Sequence, residues 1–264
     1  MINQEKRKYK YAIHSVETAF LLMEILAKAE SELSISEICK KVNLPKGTVH
    51  RHLGTLKKLN YVEQNQKNSK YRFTFEAYRV SVSIVAKFGI RSGLNKAIPL
   101  IKKVSQDFNE MITLALLDDD RVVYIHATSS DNPLKLDFKI GYTQPAYCTA
   151  LGKILLAYLS NKKLDKYLKG TKLIRFTPYT IINKKQLQDE LKQIREKGYC
   201  LVNEEYILGI SDLSVPVSDQ QGNVFAAVGF NIPNVRLNQK NIAQLKNALF
   251  DISQKIILQP SLYN

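Results

Sequence analysis

The chain has 264 residues, of which 45% are hydrophobic, and a formal net charge of +15. This length is sufficient for two domains with separate cores, and the strong positive charge favours polyanionic partners such as nucleic acid. Because no apolar run reaches the length of a membrane span and Cys39, Cys148 and Cys200 are too widely spaced for a disulfide framework, we expect a reduced, cytosolic protein without a membrane anchor.

The N-terminal part of the chain is basic. Residues 1–72 contain 14 Lys and Arg against 7 Asp and Glu, so about half of the excess charge lies in little more than a quarter of the length. The first eleven residues lack the apolar core of a signal peptide, and their basic side chains form either a frayed terminus or an arm along a DNA backbone. These side chains are Lys6, Arg7, Lys8 and Lys10.

Residues 15–28 are predicted to form a helix with Ser15 as its N-cap. Its apolar residues keep helical spacing, and we expect this helix to support the two that follow. The spaced residues are Val16, Ala19 or Phe20, Met23, Leu26 and Ala27.

Residues 34–59 have the pattern of two short helices separated by a break. Ser34 or Ser36 can cap the first helix, Asn43-Leu44 forms the break, and Pro45 suits the first turn of the second helix. The second helix is expected to bury an apolar seam of Val49, Leu53 and Leu56, which leaves Lys, Thr, His and Arg on its other faces. Such a helix can pack on its own domain while polar side chains reach into a major groove.

A short β-hairpin is predicted directly after these helices. Residues 61–63 and 71–75 are rich in β-forming residues, and residues 67–70 form a polar tip. Three helices followed by a hairpin is the order of a winged helix-turn-helix. We therefore expect DNA contacts from one group of polar side chains and a phosphate contact from the wing. The helical candidates are Ser36, Lys46, Thr48, His50 and Arg51, and the wing candidate is Lys70.

Residues 75–88 are predicted to form a linker helix, and the rest of the chain a mixture of helices and strands. Helices are expected at 94–108, 149–159, 184–197 and 238–257, and strands at 111–117, 121–127, 134–140, 199–202, 212–217 and 224–230. Strands surrounded by helices indicate an α+β fold. We set the domain boundaries at 1–74 for the winged domain, 75–90 for the linker and 91–264 for the second domain.

Several short motifs occur in a fixed order along the chain. Those of the N-terminal part are Ser36-Glu-Ile, Leu44-Pro-Lys-Gly-Thr-Val-His-Arg and Tyr61-Val-Glu. Those of the second domain are Asp120-Arg-Val-Val-Tyr-Ile, Pro145-Ala-Tyr-Cys-Thr-Ala-Leu-Gly-Lys, Arg175-Phe-Thr-Pro-Tyr-Thr-Ile, Ile194-Arg-Glu-Lys-Gly-Tyr and Asn203-Glu-Glu-Tyr. As an ordered set they resemble the IclR-type bacterial transcriptional regulators over nearly the whole chain.

The resemblance implies a GAF-like effector domain, a six-stranded antiparallel sheet flanked by helices, with a small-molecule pocket. The pocket is expected between the sheet and the start of the helix at Thr149, where small residues leave room near a helix N-terminus. In the alternative interpretation, Thr149 is only an N-cap and Gly152 only allows close packing. The residues implied as pocket lining are Leu136, Gln144, Ala150, Leu151, Ile210, Asp212, Gly229 and Asn231.

Ser211-Asp212 departs from the Arg-Cys pair that many relatives carry at this position. An enclosed Asp would oppose a carboxylate ligand and would accept hydrogen bonds from hydroxyls or an amine. We therefore expect the effector to be an organic acid or sugar-derived metabolite, with a polyhydroxylated or amine-bearing molecule favoured over a small oxo-acid.

The resemblance also predicts a dimer or tetramer that binds operator DNA, with repression favoured over activation. A small-molecule enzyme fused to a DNA-binding domain is the alternative, but no nucleophile–base pair or nucleotide-binding motif supports it. A non-specific architectural protein would have no use for a second domain of this size. His126, Cys148 and Cys200 lack zinc-site spacing, so no metal or other cofactor is expected.

Overall fold

The computed structural model of the chain describes residues 11–87, 90–219 and 221–256. The chain divides into two compact units, Met1–Val85 and Ala86–Asn264, so the division falls inside the predicted linker segment. The basic side chains proposed as a DNA arm, Lys6 to Lys10, lie outside the described residues, as do the end of the predicted linker at Phe88 and Ile257 in the predicted last helix.

The N-terminal unit has the predicted order of a winged helix-turn-helix. Its elements are α1 (His14–Lys28), α2 (Ile35–Val42), α3 (Lys46–Lys58), β1 (Val62–Gln64), β2 (Tyr71–Phe73) and α4 (Phe75–Lys87). The two strands pair antiparallel, with Glu63 opposite Arg72. A core of Leu22, Ile38, Val49 and Leu53, each fully buried, joins α1, α2 and α3.

Local sequence signals fix the break between α2 and α3. The Ser34 hydroxyl accepts a hydrogen bond from the Glu37 amide, and the Glu37 carboxylate accepts one from the Ser34 amide, which makes Ser34 and not Ser36 the cap of α2. Asn43 ends α2 in the left-handed conformation, with a φ of 54°. Pro45 is the N-cap residue of α3, one position before the first helical residue.

The prediction for α1 was wrong in its cap and only partly right in its packing face. The helix begins at His14, and its N-cap residue is Ile13, which makes no side-chain capping bond, so Ser15 does not cap it. The predicted Ala19, Met23 and Leu26 pack in the core, which also buries the unpredicted Leu22. Val16 and Phe20, by contrast, are 49% and 62% exposed. The helix carries more apolar residues than one face can bury, and periodicity alone does not say which of them the neighbouring helices cover.

The second unit is an antiparallel sheet between two layers of helices, as the resemblance implied. Its strands are β3 (Met111–Asp118), β4 (Arg121–Ala127), β5 (Thr143–Pro145), β6 (Cys200–Asn203), β7 (Ile210–Ser218) and β8 (Val224–Pro233), in the order β5-β4-β3-β8-β7-β6. Its helices are α5 (Ile90–Phe108), α6 (Ala150–Ala157), α7 (Asn161–Gly170), α8 (Lys184–Lys197) and α9 (Gln239–Lys255). One core lies between the sheet and α6, α7 and α8, and a second lies between the sheet and α5 and α9.

Two features of this unit differ from the prediction. Residues 134–140 do not form a strand, although they alternate apolar and polar residues; Leu134 and Ile140 are 58% and 68% exposed. The edge strand on the side of β4 away from β3 is instead β5, where Thr143 lies opposite Val123. Helix α7 was not predicted, because its composition is dominated by Lys and its apolar residues are few.

Candidate functional sites

The exposed side of α3 carries most of the predicted DNA-contact residues. Lys46, His50 and Arg51 are exposed, and Thr48 is half-buried beside the core residue Val49. No acidic residue occurs in α3, so its exposed face is wholly basic and polar. Outside α3, Ser36 is exposed in the first turn of α2. The fold therefore separates an apolar seam from a basic face on one helix.

Two glycines, which sequence reasoning missed, flank Arg51 on this face. Gly47 and Gly54 lie four residues before and three residues after Arg51, and a Cβ added to either would meet nothing within 4 Å. A glycine costs a helix about 1 kcal/mol relative to alanine, and packing inside the unit does not require one here. Thr55 and Lys58 share the same helical face by spacing and are exposed. The helical spacing of small and polar residues at positions 47, 51, 54, 55 and 58 was the sequence signal that could have identified this face.

The hairpin tip is held by hydrogen bonds to Glu32. The side-chain amides of Asn65 and Asn68 each donate to Glu32 at 3.0 Å. The same two asparagines accept hydrogen bonds from the backbone amides of Lys67 and Lys70, both at 2.9 Å. Lys67 is exposed at the tip, whereas the predicted contact Lys70 is half-buried. The wing is thus a fixed structure that presents Lys67 more openly than Lys70.

In the second unit, three of the eight predicted effector residues line one small cavity. These are Gln144 on β5 and Ile210 and Asp212 on β7. The other lining residues, which the sequence did not identify, are Phe138, Glu205, Tyr206 and Ile207. The enclosed space is about 10 Å³, enough for about one water molecule, so a metabolite requires displacement of part of this lining.

The remaining predicted residues do not line this cavity. Asn231 is buried on β8, where its amide donates to Asp212 at 2.7 Å and its carbonyl oxygen accepts from Thr113 at 2.8 Å. It therefore orients Asp212 from the sheet. A Cβ on Gly229 would lie 2.6 Å from the Leu213 carbonyl oxygen, so this glycine permits close strand packing. Ala150 and Leu151 lie in the first turn of α6, and Leu136 lies in the loop formed by residues 128–142.

Thr149 caps α6 and Gly152 allows close packing, as the alternative interpretation of these two residues predicted. The Thr149 hydroxyl accepts a hydrogen bond from the Gly152 amide at 3.3 Å and so caps α6. A Cβ on Gly152 would lie 2.1 Å from the Ala146 carbonyl oxygen. The residue that begins the helix is therefore a structural cap, and the glycine lets α6 approach the preceding backbone.

Replacing Gly152 with alanine should destabilise the second unit. Because the added methyl group would meet backbone rather than a flexible side chain, we expect a loss of about 1–3 kcal/mol from the strain of overpacking. Chemical denaturation of the full-length protein measures this loss. Gly170→Ala is the matched control, since a Cβ there meets nothing within 4 Å; equal stability of the two variants would contradict the assignment.

Asp212 has a raised pKa because its carboxyl group is buried in the cavity wall. Burial raises the pKa of Asp212 to about 6, against the opposing effect of the hydrogen bond from Asn231. The carboxylate is therefore mostly ionised at neutral pH. Gln144 accepts a hydrogen bond at 2.6 Å from the hydroxyl of Tyr124, whose pKa burial raises well above its ordinary value.

Glu205, a second acid in the lining, is paired with a buried lysine. Lys153 has a fully buried side chain in the middle of α6 and contacts both Glu205 and Glu190, the latter at 2.8 Å. Burial disfavours its ammonium group, but the two carboxylates outweigh this effect and the pKa of Lys153 is raised. The sequence suggested no partner for Glu205. The available signal was one Lys inside an otherwise apolar helix segment.

The turn that carries Glu205 is fastened by the segment before α8. The Thr177 hydroxyl donates to the Glu204 carbonyl oxygen and the Thr180 hydroxyl to the Glu205 carbonyl oxygen, both at 2.6 Å. The Ile181 amide donates to the Glu205 carboxylate at 3.3 Å. These residues fall in the Arg175-Phe-Thr-Pro-Tyr-Thr-Ile motif, so one role of that motif is to position a wall of the cavity.

The residues considered for zinc are not brought together. His126 lies on β4 and Cys200 on β6, four strands apart in the sheet, which is about 19 Å at ordinary strand spacing. Within residues 11–87, 90–219 and 221–256, no group of three or more His, Cys, Asp or Glu could hold a metal ion. In the same part of the chain, no helix is both long and apolar enough to cross a membrane.

Two family models match the chain in the order of its two units. The IclR helix-turn-helix domain matches residues 15–66, and the bacterial transcriptional regulator IclR C-terminal domain matches residues 85–258. The HTH-type transcriptional regulator KdgR of Escherichia coli (strain K12) is 31% identical over 259 residues, which cover 98% of this chain and 97% of KdgR.

Solved structures share the fold over nearly the whole chain. The Thermotoga maritima IclR structure has a TM-score of 0.75 and 26% identity, and the likeness covers 93% of this chain and 98% of that one. An IclR homologue of Microbacterium hydrocarbonoxydans complexed with 4-hydroxybenzoate has a TM-score of 0.76 at 19% identity, covering 92% and 98%.

Proposed function

This chain belongs to the IclR family of bacterial transcriptional regulators, and we propose that it represses transcription until an effector occupies its C-terminal cavity. Operator binding is assigned to residues 1–74, effector binding to residues 91–264, and coupling of the two to the linker at 75–90. The relatives include proteins named as the acetate operon repressor and the transcriptional repressor IclR, which supports repression over activation.

The basic, acid-free face of α3 is the observation that carries the DNA-binding assignment. Arg51 would reach a base edge, and Lys46, Thr48 and His50 would lie beside it in the groove. Ser36 and the wing lysines Lys67 and Lys70 would contact phosphates. Capture of genomic fragments by the full-length protein, followed by competition with scrambled duplexes at fixed salt, tests this. Equal affinity for captured and scrambled DNA would refute sequence-specific regulation.

Gly54→Ala should separate stability from DNA affinity. The methyl group meets nothing in the unit, so we expect a gain of about 0.5–1 kcal/mol in folding free energy from helix propensity. It would also hold α3 away from the groove and weaken operator binding about tenfold. Thermal unfolding and a gel-shift titration measure the two effects.

Gly170→Ala is the control for this variant as well, because it adds an unobstructed methyl group to a helix of the other unit. It should leave operator affinity unchanged. If Gly54→Ala binds operator as tightly as the wild type, this face of α3 does not approach DNA closely.

The effector is proposed to bind at the cavity lined by Gln144, Ile210 and Asp212. Binding would displace Phe138 and the 128–142 loop, and the liganded protein would favour one arrangement of the paired winged domains over another. An organic acid or a sugar-derived metabolite fits the expectation from the sequence. The Microbacterium homologue, which is complexed with 4-hydroxybenzoate, indicates that this fold accommodates a small organic molecule.

Two copies of the chain are proposed to bind one operator. Paired recognition helices would read half-sites about one helical turn apart, as dimeric helix-turn-helix proteins do. Apolar side chains exposed on and near α1 support self-association: Ile13 is 64% exposed and Phe20 is 62% exposed. Light scattering on the full-length protein distinguishes dimer from tetramer.

Action on bacterial operator DNA also leads us to infer a cytoplasmic location.

The alternative of an enzyme fused to a DNA-binding domain has no support from the relatives, whose names describe transcriptional regulators.

A further inference from the structure

The cavity presents a single carboxylate that is not already paired with a cation. This inference concerns the chemistry of the effector and therefore rests on the proposed effector role of the cavity. The Asp212 carboxylate accepts a hydrogen bond from the Asn231 amide at 2.7 Å, and Asn231 is held in turn by the Thr113 hydroxyl at 2.8 Å. Asp212 is therefore fixed in orientation by neutral groups and keeps its negative charge available to a ligand.

Glu205, the other acid in the lining, is not available in the same way. Its carboxylate contacts the buried ammonium of Lys153 and also accepts a hydrogen bond from the Ile181 amide at 3.3 Å. A cationic ligand at Glu205 would have to compete with Lys153, whose side chain is fully buried against it. The cavity is therefore not a site built from two free carboxylates, and this disfavours a diamine.

Gln144 supplies a hydrogen-bond donor on the same cavity wall. Its carbonyl oxygen accepts a hydrogen bond from the Tyr124 hydroxyl at 2.6 Å. This bond orients the amide group, so that its oxygen faces Tyr124. The amide nitrogen is then the end of Gln144 that can serve a ligand. The ionised carboxylate of Asp212 only accepts hydrogen bonds, whereas the amide nitrogen of Gln144 only donates them.

The pairing of one fixed acceptor with one fixed donor distinguishes ligand classes. A hydroxyl group both donates and accepts, so adjacent hydroxyls can satisfy both side chains at once. An ammonium only donates and would leave the Gln144 amide unpaired, while a carboxylate only accepts and would be repelled by Asp212. Phe138 and Tyr206 add aromatic surface to the lining, suited to the C–H faces of a carbon chain or ring.

We propose that this cavity recognises a polyhydroxylated, sugar-derived ligand, with one hydroxyl donating to Asp212 and another accepting from the Gln144 amide. The remainder of the ligand, whether neutral or acidic, would occupy space opened by displacement of Phe138. Asp212 is then the residue that determines specificity for hydroxyl groups.

Matched pairs of probes on the full-length protein test the proposal. Gluconate and hexanoate have the same carboxylate and carbon count but differ in hydroxyls, and glucitol and 1,6-diaminohexane compare hydroxyls with amines. Pyruvate represents small oxo-acids. With each probe at about 50 mM, even a ligand of millimolar affinity should raise the melting temperature measurably. An unchanged melting temperature with both hydroxylated probes therefore counts against the proposal. We expect gluconate or glucitol to stabilise the protein and their partners not to.

Asp212→Asn provides the second measurement. This variant keeps the side-chain oxygen that accepts from Asn231 but loses the charge and offers an amide donor instead of an acceptor. Calorimetric affinity for the stabilising hydroxylated probe should fall at least tenfold, because a site built to bind a hydroxyl loses its partner. Asp165→Asn is the control, since Asp165 is exposed on α7 and the variant makes the same change in charge. It should bind the probe as the wild type does.

The outcomes separate this proposal from the proposed function. Stabilisation by hexanoate, the diamine or pyruvate in preference to the hydroxylated probes overturns the ligand class, as does unchanged affinity in Asp212→Asn. If operator preference persists in either case, the protein is still a regulator and only its ligand has been misassigned. Loss of operator preference in the wild-type protein would instead refute the regulator function.

Discussion

Replacing Lys153 with methionine should destabilise the second unit by about 3–5 kcal/mol, the usual cost of removing one partner from a buried ion pair. Methionine keeps much of the volume of lysine, so the loss of folding free energy would come from the missing charge and not from a cavity. The side chains of Glu205 and Glu190, only 8% and 26% exposed, would then face each other without a cation. Urea denaturation at pH 8, followed by a spectroscopic signal of the second unit, measures the loss.

The deficit of this variant should shrink as the pH falls. Burial raises the pKa of Glu205, and removal of the opposing ammonium raises it further. A carboxyl whose pKa is higher in the folded than in the unfolded state binds protons on folding, so its penalty is largest above the folded pKa and fades below it. The variant should therefore differ most from the wild type at pH 8, and the difference should shrink as the pH falls toward the ordinary glutamate pKa of 4.5.

Lys192→Met is the matched control, because Lys192 lies on α8 with 75% of its side chain exposed and pairs with Asp189 at 3.7 Å. We expect its effect to remain below about 1 kcal/mol, as for surface ion pairs in general. A similar small loss in Lys153→Met would mean that the ion pairs of Lys153 with Glu205 and Glu190 contribute little to stability.

Arg51→Ala should weaken operator binding about tenfold to a hundredfold while leaving the fold intact. The side chain is exposed in the middle of α3 and faces away from the core residues Val49 and Leu53, so its removal opens no cavity. A lost base contact of this kind costs about 1–3 kcal/mol of binding free energy. Fluorescence anisotropy with a captured operator fragment measures the affinity, and thermal unfolding checks the fold.

Salt dependence shows what kind of contact was lost. If Arg51 also neutralises a phosphate, the slope of log affinity against log salt should fall by about one unit. Arg195→Ala removes an exposed arginine from α8 in the other unit and should leave both affinity and slope unchanged. Wild-type affinity in Arg51→Ala would remove this residue from the DNA interface.

Much of the N-terminal unit could be predicted because its signals are local. The Ser34 cap, the break at Asn43 and the Val49, Leu53, Leu56 seam each depend on residues within one or two turns of one another. Helix periodicity also predicted α8 over the observed residues, Lys184–Lys197. The ordered motifs added the antiparallel sheet, which no single segment could establish.

The errors arose where several local patterns were equally good. Residues 134–140 alternate as a strand does, but the edge of the sheet beside β4 is occupied by the three residues of β5. In α1, apolar residues occur on more than one face, and the positions of α2 and α3 determine that Leu22 is buried while Val16 and Phe20 are exposed.

The sequence by itself determined a winged helix-turn-helix with a basic third helix, since helix periodicity and capping depend on neighbours in the chain. Only the tertiary structure decided the chemistry of the cavity. Asp212 meets Asn231 across a strand pair, and Lys153 reaches Glu205 across 52 residues of chain. The charge that a ligand meets there depends on which acids already have a cation, and contacts between distant segments settle that pairing.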